Sequence, residues 1–217
     1  MLRLYCVLSA ALTRVAIAPT HNTQNSTVTS IFVPLISGGS IVVYPEAQAT
    51  PGLSVLQVFE DDAVDIVKLT PAHLALVADR IGKTHIRRLI VGGEEFKTEL
   101  ARRVSAACQD QIAIWNEYGP TETVVGCMIH RYNPQEDQQR AVPIGKPANN
   151  VQIYVLHGLQ QPVPIGVIGE IYIGGDGVGL GYLNRPELSA QRFLPDMRRL
   201  GAFLYRSGDL ARWTEYG

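Results

Sequence analysis

Between residues 27 and 115, short apolar runs alternate with stretches of helical character. The apolar runs are residues 40–44, 66–69, 89–91 and 112–115. Strands whose two faces are both covered by other elements are apolar along their length. Strands with one solvent-exposed face alternate apolar and polar residues instead. The helical patterns occupy residues 27–36, 54–60, 71–81 and 98–107. This alternation predicts an α/β fold in which helices flank a mainly parallel sheet.

The pattern changes near residue 141. From there the apolar runs are shorter and are separated by Gly and Pro, at residues 151–156, 169–173 and 203–206. Runs of this kind, with little helical pattern between them, predict a small β-barrel-like subdomain of antiparallel strands. The polar stretch at residues 131–140 is the expected boundary. Residues 27–140 then form the α/β subdomain, and residues 141–217 form the β-rich one.

Composition narrows the class of protein. Of the 217 residues, 46% are hydrophobic and 18% are charged, which favours a packed core over disorder. The net charge of −1 offers no basic surface for nucleic acid or for an anionic membrane. Cys6, Cys108 and Cys127 are widely spaced, which disfavours a zinc site or a disulfide framework. A reducing, cytoplasmic setting is expected.

The first 26 residues do not follow the pattern of the remainder. Residues 1–18 resemble a signal peptide in outline, with Arg3 followed by an apolar run and Ala-Ile-Ala. Arg14 interrupts that run after about ten residues, short of the roughly 18 that a membrane span needs. A signal peptide stays open as the alternative. We expect residues 1–26 to be an atypical segment outside the ordinary fold, with no membrane span.

The most specific motif is Asn-Glu-Tyr-Gly-Pro-Thr-Glu at residues 116–122, directly after the fourth apolar run of the α/β part. In open α/β sheets, ligands bind at the carboxyl ends of strands. A turn there would present the ring of Tyr118 for stacking, the hydroxyl of Thr121 for a phosphate oxygen and the carboxylate of Glu122 for Mg²⁺. An ordinary strand-to-helix turn, with Glu122 at a helix N-terminus, is the alternative.

This motif resembles the adenine-binding motif N-x-Y-G-P-T-E of adenylate-forming enzymes. Four further segments resemble motifs of the same family in the same order. They are Pro-Leu-Ile-Ser-Gly-Gly at 34–39, Gly-Gly-Glu at 92–94, the glycine-rich 169–183 and Tyr-Arg-Ser-Gly-Asp-Leu at 205–210. Ser207 replaces the usual Thr of the last motif. The resemblance spans residues 27–213 and is greatest to an adenylation domain of a nonribosomal peptide synthetase.

The resemblance implies roles for individual residues. Tyr118 would stack on adenine, and Asp209 would accept hydrogen bonds from two ribose hydroxyls, as a carboxylate can. A turn residue after Gly208 is the other reading of Asp209. Thr121 and Glu122 would be catalytic, and Glu122 would bind Mg²⁺. The implied nucleotide-binding set is Gly92, Gly93, Glu94, Asn116, Tyr118, Gly119 and Asp209.

The closely spaced glycines of residues 174–181 could be read as a nucleotide-binding motif or as bend-forming residues. They do not form a dinucleotide fingerprint, because no strand–helix–strand unit surrounds them. We expect them to permit tight bends between strands.

The resemblance also places a substrate pocket. The expected lining positions are Thr29, Lys68, Ile90, Gly92, Glu117, Val125 and Gly126. A buried charge such as that of Lys68 is costly unless it is paired. Lys68 could donate to the oxygen of a side-chain amide while Glu117 accepts from its nitrogen, and the set resembles the signature for asparagine, with aspartate as the near neighbour. An internal ion pair of Lys68 with Glu117 is the alternative.

The expected reaction joins an amino acid and ATP into an aminoacyl-AMP with release of pyrophosphate. Transfer to the phosphopantetheine thiol of a carrier protein follows. Two family elements are not found in the chain, namely the phosphate-binding loop and the C-terminal lid with its lysine. Asn25 stands where the family has an Asp that holds the substrate ammonium. The chain alone is therefore expected to be inactive.

Two other functions stay open at this point. An acyl-CoA or aryl-acid ligase fragment would share the fold but favour an apolar pocket. A non-catalytic remnant or nucleotide-binding module would bind nucleotide without catalysis.

Overall fold

A computed structural model describes residues 13–17, 23–45, 54–158 and 160–215, with side chains from residue 30 onward in the first helix. Its larger sheet has seven strands in the order β2-β1-β3-β4-β5-β6-β7. The strands are β1 Arg14–Ile17, β2 Ser40–Val43, β3 Ile66–Leu69, β4 Arg88–Gly92, β5 Ala113–Tyr118, β6 Met128–Arg131 and β7 Lys146–Pro147. Strands β1 to β5 are parallel, and β6 and β7 add an antiparallel edge.

Within the described ranges, four helices cover this sheet, and both faces of the sheet are apolar. They are α1 Thr23–Ile36, α2 Ser54–Asp61, α3 Pro71–Val77 and α4 Thr98–Ala107. Leu89 and Val91 of β4 pack in the core that contains residues of α2, α3 and α4. Ile90, between them, packs on the opposite face in the cluster that contains Val33 of α1. Successive strand residues point to opposite faces, so a continuous apolar run serves two cores.

The second sheet is smaller and antiparallel. Its strands are β8 Val151–Leu156, β9 Gly169–Gly175, β10 Phe193–Pro195 and β11 Phe203–Ala211, in the order β10-β11-β9-β8. One helix, α5 Pro186–Arg192, precedes β10. A mainly parallel α/β layer followed by a small β unit is the fold class that the sequence predicts, and it is confirmed. The change of sheet falls between Pro147 and Val151, and the domain boundary near residue 140 stays a prediction.

Strand β1 corrects one expectation. Arg14–Ile17 lie between β2 and β3, and Val15 and Ala16 are buried. The exposed Arg14, which interrupts the apolar run, begins the strand, and its backbone N–H donates to Asp65 Oδ2 at 2.9 Å. Setting residues 1–26 outside the fold is therefore wrong for these four residues, and also for residues 23–26, which form the first turn of α1. The alternative of a signal peptide at residues 1–18 concerns residues that otherwise lie outside the described ranges.

Strand β5 corrects a second expectation. The apolar run was expected to end before Asn116, but the strand continues through Tyr118 because Trp115–Tyr118 pair with β6. Asn116 and Glu117 are buried despite their polarity. The first three residues of the motif are therefore strand residues with alternating faces. Among the described residues, no helix combines the length and the apolar character that crossing a membrane requires.

Candidate functional site

The two sheets meet beside the end of β5. Tyr118 and Met128 of the first sheet, with Cys127 of the turn that joins their strands, pack in one cluster with Ile171 and Phe193 of the second sheet. Burial at this junction raises the pKa of the Cys127 thiol to about 12, because removal from water disfavours the charged thiolate. Residues that are far apart in the sequence are therefore brought together at this junction.

Tyr118 and Asp209 meet at the junction. The Tyr118 hydroxyl donates to Asp209 Oδ2 at 2.5 Å, across 91 residues of sequence. Burial, followed by the hydrogen bond to the Asp209 carboxylate, raises the pKa of Tyr118, so the phenol stays a donor at neutral pH. Both residues were predicted to contact one nucleotide, and the fold places them side by side.

A bulge in β11 directs Asp209 toward Tyr118. The register of β11 against β9 shifts between Arg206 and Leu210, and Gly208 has φ of +87°, which favours glycine. The Ser207 hydroxyl donates to the Ile171 carbonyl at 2.9 Å and accepts from the Asp209 N–H at 3.0 Å. Ser207 therefore supplies the hydroxyl that fixes this turn, although the family motif has Thr there.

The Gly92-Gly93-Glu94 loop lies at the carboxyl end of β4, next to β5. A Cβ atom at Gly92 would collide with the carbonyl oxygen of Glu117, so the close approach of β5 requires glycine. Gly93 has φ of +90° and is exposed. Glu94 Oε2 accepts from the Ala72 N–H at 3.2 Å, at the start of α3. This carboxylate is therefore held at a helix N-terminus, where the dipole favours it.

Asn116 has a structural partner. It is buried, and its Nδ2 donates to the carbonyl oxygens of Val142 at 2.9 Å and Pro143 at 3.0 Å. These bonds tie β5 to the segment that leads toward the second sheet. The expected contact of Asn116 with nucleotide stays a prediction.

The turn from β5 to β6 is tight. A Cβ atom at Gly119 would collide with the carbonyl oxygen of Val125. Val124 and Val125 have φ of 62° and 65°, a region that β-branched residues rarely adopt. Strain of this kind persists where surrounding structure enforces it, often at functional sites. The turn exposes Thr121, buries Val125 and leaves Gly126 half-buried.

Glu122 is held by the glycine-rich segment of the second unit. The Tyr182 hydroxyl donates to Glu122 Oε1 at 2.6 Å, and the Gly179 N–H donates to the Glu122 carbonyl at 2.8 Å. A Cβ atom at Gly177 would lie 3.1 Å from the Thr123 carbonyl oxygen. Residues 177 and 179 are therefore glycine because the backbone of this segment comes close to the Glu122 turn, and not only because the segment bends. Sequence reasoning missed Tyr182, although it lies inside a recognised motif.

Magnesium fits this site only together with a nucleotide. The described ranges contain no group of three or more His, Cys, Asp or Glu side chains that could hold a metal ion. Mg²⁺ is commonly bound by one or two carboxylates plus substrate phosphates. Glu122 can supply such a carboxylate, and phosphate oxygens would have to supply further ligands.

Lys68 and Glu117 form a buried ion pair on the α1 face of the sheet. Lys68 Nζ binds Glu117 Oε2, and the two side chains are 7% and 3% exposed. Glu117 Oε1 is buried and has no hydrogen-bond partner within the described part of the chain. Ile90 is buried on the strand between them. The side chains of Thr29 and Asn25, which belong to the same expected pocket, lie outside the described residues.

Comparison with known proteins agrees with the motifs. Residues 13–183 match the family model described as AMP-binding enzyme. Bacitracin synthase 3 of Bacillus licheniformis is 54% identical over 192 residues, which are 88% of this chain and 3% of that protein. This chain therefore spans a small fraction of that relative's length.

Two solved structures share the fold. The nonribosomal peptide synthetase FmoA3 has a TM-score of 0.83 and 25% identity, covering 97% of this chain and 23% of that one. The adenylation domain AlmE of Vibrio cholerae, in complex with glycyl-adenosine-5'-phosphate, has a TM-score of 0.79 and 22% identity, covering 98% and 41%. The chain belongs to the AMP-binding enzyme family, as a segment similar to the adenylation domains of nonribosomal peptide synthetases.

Proposed function

We propose that this chain supplies the nucleotide-binding and amino-acid-binding residues of an adenylation domain. The reaction joins an amino acid carboxylate to the α-phosphate of ATP and releases pyrophosphate. The contact of Tyr118 with Asp209 supports the nucleotide part, because two residues of separate motifs meet at 2.5 Å. The AlmE structure was solved with an aminoacyl adenylate of glycine, which is a precedent in the same fold.

The nucleotide would lie across the ends of β4 and β5. The ring of Tyr118 offers a stacking face, and the Gly92-Gly93 backbone would form the opposite wall. Gly93 would leave room there, because even a Cβ atom at this position would have no neighbour closer than 3.9 Å. Asp209 would exchange its hydrogen bond from Tyr118 for bonds from the ribose hydroxyls. A carboxylate can accept both of these bonds side by side.

The phosphates would lie over the turn from β5 to β6. Thr121 is exposed there and has a hydroxyl that can donate to a phosphate oxygen. Glu122 is the carboxylate that would hold Mg²⁺ against the phosphates. When bound, the ion would neutralise negative charge on the phosphate oxygens.

The substrate proposed for the pocket is asparagine. The observation that carries it is the Glu117 carboxylate, in which Oε2 binds Lys68 and the buried Oε1 has no partner within the described residues. An unsatisfied buried acceptor costs about 1–3 kcal/mol, so a ligand that donates to it is favoured. The side-chain amide of asparagine can donate to Oε1 and accept from Lys68. Aspartate would place a second carboxylate against Glu117 and is disfavoured.

Two other functions are distinguishable from this one. An acyl-CoA or aryl-acid ligase would be expected to line this pocket with apolar side chains, and the buried Lys68–Glu117 pair argues against it. A non-catalytic nucleotide-binding module would bind AMP without promoting exchange. Transfer to a carrier-protein thiol rests on the resemblance alone.

Amino-acid-dependent ATP–pyrophosphate exchange tests the proposal in a complete adenylation domain that carries this segment. Asparagine should support the fastest exchange, with aspartate second and leucine or benzoic acid near background. The control variant Glu99→Gln should exchange as wild type does, because Glu99 is an exposed carboxylate on α4 that pairs with Arg102. Fastest exchange with leucine or an aryl acid would contradict the substrate, and AMP binding without any exchange would favour the non-catalytic module.

A further inference from the structure

Packing contacts of Tyr182 direct its hydroxyl toward Glu122. Its ring stacks edge-on against Phe193, with ring centroids 5.4 Å apart. Its backbone N–H donates to Ser189 Oγ at 2.8 Å, in the middle of α5, the helix that precedes Phe193. These contacts fix both the backbone and the ring. The position of the hydroxyl, which donates to Glu122 Oε1 at 2.6 Å, is therefore fixed by these contacts.

The glycine-rich segment contacts Glu122 at two points. Gly179 binds the backbone carbonyl of Glu122, and Tyr182 binds its side chain. The buried Tyr205 hydroxyl lies 3.4 Å from that of Tyr182. The glycine-rich segment therefore holds both the backbone and the side chain of Glu122.

We propose that Tyr182 is a positioning residue for Glu122, which holds one carboxylate oxygen so that the other faces a phosphate-bound divalent cation. The inference rests on the proposed role of Glu122 in the nucleotide site. A long acidic side chain on a half-buried turn has several rotamers, and a donor fixed to Oε1 selects among them. Groups that orient a metal ligand from behind typically contribute about 10–100-fold to metal affinity.

The substitution Tyr182→Phe tests this, because it removes the hydroxyl and keeps the ring against Phe193. Binding of Mn²⁺ to the chain in the presence of ATP can be followed by electron paramagnetic resonance. The variant should bind Mn²⁺ about 10–100-fold more weakly than wild type. Tyr154→Phe, on β8 of the smaller sheet, is the matched control and should bind as wild type does. AMP affinity without metal should be the same in Tyr182→Phe as in wild type. A variant that had lost its structure would bind AMP more weakly.

A second variant separates this inference from the proposed function. Glu122→Gln should weaken Mn²⁺ binding, and adding Tyr182→Phe to it should have little further effect, because the hydroxyl acts through the carboxylate. If Glu122→Gln weakens binding and Tyr182→Phe does not, the positioning role is wrong and the role of Glu122 stands. Equal Mn²⁺ binding in wild type and both variants, including no protein-dependent binding in any of them, would overturn both.

Discussion

At the scale of single residues, Glu117 has two carboxylate oxygens in different environments. One oxygen binds Lys68, and the other is buried with no partner within the described residues. A buried ion pair adds little net stability, because desolvation offsets the attraction. Under the proposed function, the pair forms the polar end of the amino-acid pocket. Discrimination between substrates should therefore depend on it.

Replacing the pair tests that role. In a complete domain that carries this segment, Lys68→Met with Glu117→Gln should abolish the preference for asparagine over leucine in the exchange assay. Sites that hydrogen-bond a polar substrate group reject analogues lacking it by about 10⁴ or more, so the lost preference should be large. The control Glu99→Gln should keep it. A double variant that still prefers asparagine would show that the two residues are a structural ion pair.

Asp209 permits a second test at this scale, in the chain itself. Asp209→Asn keeps the size of the side chain but removes its charge, and hydrogen bonds to charged groups are worth about 1.5–3 kcal/mol. AMP affinity, measured by calorimetry, should therefore fall about tenfold or more. Asp79→Asn, which changes an exposed carboxylate in the turn after α3, serves as control. Equal affinity in wild type and Asp209→Asn would remove Asp209 from the ribose site.

At the scale of elements, the turn between β5 and β6 shows why the motif has the residues it has. Gly119 lets the backbone at Val125 come close, and this approach presents Thr121 and Glu122 at the end of the strand. The positive φ angles of Val124 and Val125 show that the turn follows the surrounding contacts and not local preference. The stability of the turn should therefore be sensitive to small changes in volume.

Gly119→Ala should destabilise the chain by about 1–3 kcal/mol in urea unfolding, because the added Cβ would collide with the Val125 carbonyl. Gly82→Ala is the matched control, since a Cβ at Gly82 has nothing within 4 Å, and it should change stability by less than about 0.5 kcal/mol. Equal urea midpoints of unfolding for the two variants would show that the turn has room for a Cβ atom at residue 119.

Most elements could be predicted from the sequence, and the failures have physical causes. The strand Ile66–Leu69 and the helix Thr98–Ala107 have the predicted bounds, because their local patterns agree with their tertiary settings. Strand β1 was missed because its apolar residues sit in a segment that resembles a signal peptide. Strand β5 was predicted too short because Asn116 and Glu117 are polar, and only their tertiary partners explain their burial.

At the scale of the whole molecule, the apolar junction between the two sheets assembles the candidate site. It brings Asp209 to Tyr118 across 91 residues of sequence and Tyr182 to Glu122 across 60. The motifs indicated which residues matter, but local patterns carry no information on contacts at such separations. Tyr182 could have been singled out only by knowing that the glycine-rich segment lies against the turn of Glu122.

A structure of the complete adenylation domain with a non-hydrolysable asparaginyl-adenylate analogue tests the proposed site most directly. We expect the ribose hydroxyls about 3 Å from the Asp209 carboxylate and the side-chain amide nitrogen about 3 Å from Glu117 Oε1. We also expect the adenine to lie between Tyr118 and the Gly92-Gly93 backbone. An analogue bound with its ribose away from Asp209, or with its amide turned away from Glu117, would contradict the account.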